Sequence, residues 1–159
     1  MTRSKTIFIS LAFAVSASSI AKQPSPSTRG FHGRYFIDEI VGYEQVSGGI
    51  PEAKRLLGKT LVISANSIDF DGDDCKPDGG FKISEIETGT ALLKIYGLNY
   101  LDAGLPAKTL LLNSDECSPV FRVNKYQILF GWNGVVVRAI RDDMQQRGKT
   151  RGTAVKIKK

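Results

Sequence analysis

Histidine is nearly absent from this chain: among 159 residues only His32 carries an imidazole. Tryptophan is limited to Trp132, and cysteine to Cys75 and Cys117. A Ser-His-Asp or Cys-His centre needs a held imidazole, and His32 sits beside a Pro/Ser-rich stretch instead of inside a patterned segment. The cysteines do not form the Cys-x-x-Cys spacing of a redox pair. There is no phosphate-binding loop, no metal-ligand spacing and no internal repeat. The longest apolar run, Ile7 to Val15, is too short to cross a bilayer. These absences predict a protein that is not an enzyme, uses no cofactor and has no dedicated metal site.

The N-terminus has the layout of a secretory signal over residues 1–21. Arg3 and Lys5 precede the apolar run, and Ser19-Ile20-Ala21 offers a small-x-small cleavage site, with Val15-Ser16-Ala17 as a second. The expected location is the periplasm or the medium, with no transmembrane segment in the mature chain. In an oxidising compartment Cys75 and Cys117 are expected to pair as a structural disulfide. The formal charge of the whole chain is +6, but it is carried at the ends. Residues 141–159 hold seven basic and two acidic side chains, while the body between residues 22 and 140 is close to neutral. A nucleic-acid groove needs basic side chains clustered on a folded face, so nucleic acid is not an expected partner.

Four segments follow from composition: the signal at 1–21, a flexible leader at 22–32 containing Pro24 and Pro26, a β domain at 33–140, and a basic, mobile tail at 141–159. Within the domain the clearest signal is Tyr126 to Ile140. Two β-rich runs flank Asn133-Gly134, a pair that supplies the positive φ of a tight hairpin. Val135, Val136 and Val137 cannot share one face of a strand, so this run must be covered on both sides. Residues 34–43, 59–65, 67–70, 81–86, 109–113 and 120–123 also read as strand, with short helices at 51–57 and 91–96 closed by Gly58 and Gly97. Thr88 or Thr90 is placed to cap the second helix. Residues 71–80 read as a polar loop. The fold class is mainly β: a small antiparallel β-barrel or strongly curled sheet of about seven or eight strands with two short helices.

Two groups of side chains stand out as candidate sites. Asp69, Asp71, Asp73, Asp74 and Asp78 fall close together. Oxygen ligands at alternate positions can hold Ca²⁺, but the EF-hand pattern fails, with Asp74 where it needs Gly and Gly80 where it needs Glu. The cluster reads either as a solvated loop beside the disulfide or as a contact for a cationic protein. Tyr35, Tyr126, Phe130 and Trp132 are candidates for lining a ligand pocket, against the plainer reading that they are core.

Several pieces together resemble a group of small exported bacterial lipocalin-like proteins. They are Gly33-Arg34-Tyr35, Ala53 to Lys59, Cys75-Lys76-Pro77, Cys117 ahead of Val120-Phe121, and Asn133 to Arg138. Lipocalins carry Gly-x-Trp on the first strand, with the Trp packed under a late basic residue. Here the resemblance places Tyr35 in that role, with Arg138 or Arg141 as its partner. Trp132-Asn133-Gly134 leading into a strand with Arg138 also looks like periplasmic lysozyme-inhibitor barrels, although no inhibitory residues match. The expected function is binding: capture or inhibition of an envelope-acting protein such as a cell-wall hydrolase or toxin. The alternatives are a carrier of a small apolar ligand inside the barrel and, behind it, an enzyme acting on envelope polymers.

Overall fold

Asn133 and Gly134 take φ values of 48° and 74° and close the hairpin that their sequence predicts. The flanking runs form β8 (Gln127–Trp132) and β9 (Val135–Arg141). All three valines that open β9 are fully buried. Strand β9 pairs with β8 on one side and with β1 (Gly33–Tyr43) on the other. This computed structural model describes residues 27–143. Residues 1–21, read above as a secretory signal, and most of the segments read as leader and tail lie outside the described residues.

The other strands are β2 (Thr60–Ile63), β3 (Ile68–Phe70), β4 (Asp73–Cys75), β5 (Lys82–Glu87), β6 (Lys108–Asn113) and β7 (Val120–Arg122). The nine form one curled antiparallel sheet in the order β4-β3-β2-β1-β9-β8-β7-β6-β5. First and last strands are neighbours, as in an up-and-down barrel. The ring is interrupted instead between β4 and β5, consecutive in the chain but at opposite edges of the sheet. Across this seam runs the Cys75–Cys117 disulfide, with a Cα–Cα separation of 5.8 Å. It ties the last residue of β4 to the β6–β7 connection, where Glu116 also accepts a 3.1 Å hydrogen bond from the Asp78 backbone N–H.

Strand β4 corrects the reading of residues 71–80 as loop. Asp71 and Gly72 both have positive φ, at 54° and 95°, and turn the chain directly back along β3. Asp-Gly is a hairpin pair in its own right; the polarity of its surroundings masks it.

Both faces of the sheet are covered, by different means. The inner core includes Tyr35, Ile37, Leu61, Phe70, Phe130, Val135 and Val137, and helix α1 (Gly49–Leu56) adds Ala53 and Leu56. On the outer face, helix α2 (Thr88–Tyr96) sets Leu92 and Tyr96 against Leu111, Phe121, Leu129 and Val136, and Ala103 and Leu105 extend the cover. α2 ends at Gly97 in the left-handed region, whose N–H reaches Leu93 O. Its N-terminus differs from expectation. Glu87 is the N-cap and no side chain caps the helix, while Thr88 is buried with its N–H given to Ala107 O.

Two further differences concern the start of the domain. Strict alternation along β1 fails because the register against β9 slips between Ile37 and Glu39 and again between Ile40 and Gly42. After the slips Ile40 packs with the inner core and Val41 with the outer one, which is why neither face of this segment reads as apolar. The end of the leader is folded: Thr28–Gly30 makes a 3₁₀ turn and Phe31 is fully buried in the inner core. Arg122 lies over the Phe31 ring at 4.2 Å. Arg141, assigned to the tail by composition, is the last residue of β9. Its guanidinium donates to His32 O at 2.7 Å and to the Tyr35 hydroxyl at 3.0 Å.

Candidate functional site

Side chains meet solvent in a concave setting beside α2, in a groove that includes Glu44, Leu93 and Tyr96, and at the ends of the curled sheet. At one end the β3–β4 turn, the β8–β9 turn and α1 converge around a cleft of about 250 Å³, lined by Glu52, Arg55, Leu56, Lys59, Phe70, Asp71, Asp73, Trp132 and Asn133. Each lining group is placed by a local rule. The Asn133-Gly134 turn projects the Asn133 amide toward α1, where Nδ2 donates to Glu52 Oε1 at 3.2 Å. Glu52 stands in the first turn of α1, where the helix dipole favours a carboxylate. One helical turn on, Arg55 pairs with its other oxygen at 3.2 Å. Lys59, just beyond α1, donates to Asp71 Oδ2 at 2.8 Å. The floor is aromatic: Phe70 and Trp132 lie 4.6 Å apart, tilted by 59°.

The aspartate cluster does not act as one group. In the β3–β4 ladder Asp69 stands opposite Asp74, and Asp73 opposite Phe70. Directly paired residues share a face. Asp73 therefore lies on the side of Phe70 and the cleft, and Asp69 and Asp74 on the opposite side. Like charges facing each other are costly, and Lys76 offsets this pair through its ion pair with Asp74. That contact also raises the Lys76 ammonium above its ordinary pKa. Asp69 Oδ1 accepts from Gly72 N–H, and Asp78 lies beyond the disulfide. Among the described residues no three His, Cys, Asp or Glu side chains are grouped as a metal ion requires.

The four aromatic candidates also separate. Only Trp132 lines the cleft. Phe130 is buried beneath it against Phe70, with ring centroids 5.8 Å apart. Tyr35 is buried at the other end of β1, and Tyr126 lies at the start of β8, with Lys125 5.3 Å from its ring. Of the two arginines considered for Tyr35, it is Arg141 that packs on it, 5.3 Å from the ring centroid. Arg138 instead pairs with Glu39 and donates to Ala103 O. His32 lies at the Tyr35 end with Gly33, Arg34 and Arg141 around a shallow groove, and its Nε2 is buried without a hydrogen-bond partner among the described residues.

Glu52, Arg55, Lys59 and Asn133 are site residues that sequence reasoning passes over. Each is an ordinary surface residue in its own segment, and only the pairing of distant strands assembles them. Among the described residues no helix is long and apolar enough to cross a membrane. Comparison with protein-family models, with curated proteins and with solved structures finds no match for this chain.

Proposed function

We propose that this protein is an exported, non-catalytic binding module that captures a cationic, envelope-acting protein, such as a cell-wall hydrolase or a toxin, through its β3–β4 hairpin. The observation that carries the reading is the disulfide-tethered acidic edge. Five aspartates occupy or adjoin a two-strand hairpin at the open edge of the sheet, and Cys75–Cys117 ties that edge to the far side of the seam. Among the described residues, only Asp71 and Asp74 of the five are in ion pairs, with Lys59 and Lys76. An acidic surface of this kind speeds the docking of a basic partner and sets its orientation, and the tether keeps it ordered before docking.

Export is supported by the layout of residues 1–21 together with the disulfide. Binding at the surface is favoured over an apolar cargo because Phe31, Tyr35, Phe70 and Phe130 fill the sheet's interior. Kinship with lipocalin-like exported proteins draws support from the curled antiparallel sheet and from Arg141 packed on Tyr35.

The test is affinity capture from envelope extract, paired with a cell-wall lysis assay. The protein is expected to retain basic proteins in a salt-sensitive manner and to slow a basic muralytic enzyme. The Asp71→Ser/Asp73→Ser/Asp74→Ser variant is expected to lose both effects. Unchanged capture and inhibition by that variant would defeat the reading.

A further inference from the structure

The cleft itself has a chemistry that a cationic partner does not use well. Three carboxylates, Glu52, Asp71 and Asp73, face two cations, Arg55 and Lys59, so the lining is nearly balanced in charge. Arg55 and Lys59 already engage Glu52 and Asp71, and they would repel a further ammonium or guanidinium group. An anion would meet the three carboxylates. An apolar ligand would strip water from the charged rim without replacing its hydrogen bonds. What remains is a neutral ligand that both donates and accepts hydrogen bonds and has one flat apolar face.

A sugar ring has that surface. Its hydroxyls can bridge acceptors and donors held at fixed spacing, and its C–H face packs on an aromatic plane. The Trp132 side chain, braced from behind by Phe70, supplies the plane. The Asp73 carboxylate makes no ion pair or hydrogen bond with the described residues, which leaves an acceptor uncommitted at the rim. The Asn133 amide and the Lys59–Asp71 pair supply donors and acceptors beside it. The volume of about 250 Å³ lies below the roughly 300–1,000 Å³ of pockets that enclose drug-sized ligands, so it suits one ring of a longer chain. We propose that this cleft binds a neutral saccharide, with one ring stacked on Trp132 and its hydroxyls held by Asp73, Asn133 and the Lys59–Asp71 pair. The cleft shares Asp71 and Asp73 with the acidic edge proposed for protein capture, whereas Asp69 and Asp74 lie on the opposite face, so a variant at Asp69 and Asp74 separates the two readings.

Because Trp132 is the only tryptophan of the chain, intrinsic fluorescence reports on this cleft directly. The purified protein is titrated with cellotetraose, maltotetraose and the tetramer of N-acetylglucosamine, and with arginine amide as the cationic alternative. The expected result is a saturable spectral change with at least one tetrasaccharide, half-complete at or below about 1 mM. Asp73→Asn and Asn133→Ala are each expected to weaken it by about tenfold, while Asp69→Ser/Asp74→Ser leaves it in place. No saturable change with any sugar up to roughly 10 mM would overturn the proposal. So would saturation by arginine amide alone, or sugar binding that both cleft variants leave intact.

Discussion

Replacing both cysteines by alanine tests whether the seam between β4 and β5 is held covalently. The disulfide joins positions separated by 42 residues. On the chain-entropy estimate, a loop of that length restricts the unfolded chain enough to stabilise the native state by about 4 kcal/mol. A domain of this size is typically stable by only about 5–15 kcal/mol, so Cys75→Ala/Cys117→Ala should remain folded but lose a large share of its margin. With a urea dependence near 2 kcal/mol per M, the unfolding midpoint should fall by about 2 M, read by far-UV circular dichroism and Trp132 fluorescence. The loss should also have a local signature. Strand β4 is three residues long and, among the described residues, pairs only with β3. Without its tether, Asp73, Asp74 and Cys75→Ala should exchange their amide hydrogens rapidly, while β8 and β9, covered on both faces, stay protected. A variant within about 1 kcal/mol of the parent, with β4 still protected, would show that non-covalent packing closes the seam and that the tether is incidental.

Two further perturbations probe the outer core. A methyl group at Gly131 would lie 2.5 Å from Tyr96 Cε1 and 3.0 Å from Glu44 Oε1, so Gly131→Ala should cost about 1–3 kcal/mol by overpacking, with most of the cost relieved in a Tyr96→Leu background, as a double-mutant cycle in urea would show. Burial pushes the Tyr96 phenol well above its ordinary pKa of about 10, and the hydroxyl donates to Pro119 O while accepting from Gly131 N–H. The folded protein therefore keeps a proton that the unfolded chain loses. This contribution is complete below pH 10 and declines above it by about 1.4 kcal/mol per pH unit. Stability curves of parent and Tyr96→Phe should converge over that range, and parallel curves would refute the assignment.

What the sequence makes legible is local. Asn133-Gly134 specifies its hairpin, and three consecutive valines require two covered faces, because a strand alternates whatever lies around it. Gly97 ends α2 since a left-handed residue is cheapest there. Other features depend on partners far along the chain. The slips in β1 are set by how β9 packs, and they change which residues of β1 point inward after Ile37. Phe31 reads as the end of a leader because its neighbours are Pro, Ser and Gly, yet burying one aromatic ring outweighs the ordering cost of a short turn. The cleft is the extreme case. Its lining spans Glu52 to Asn133, and no spacing rule links those positions until β1 has paired with both β2 and β9.

The interrupted ring explains why a site should form at this end of the molecule. A strand carrying Asp73 and Asp74 ahead of Cys75 cannot be central, where both edges must pair and both faces must lose water. At an edge its charges remain hydrated and discourage pairing with another chain. Because β1 and β9 take over the closing role, the acidic hairpin is free to be that edge without opening the core. Past Phe36, Ile37 donates its backbone N–H to Lys59 O and accepts from Gly58 N–H in place of further β2 pairing, and α1 turns away over the end of the sheet toward the β8–β9 turn. Helix, hairpin edge and Asn-Gly turn are thereby brought within reach of one another by the same shortening of β2 to four residues. A longer β2 would extend the pairing and displace α1, so the fold gains its concave, polar and aromatic-floored rim from the place where its regular pairing stops.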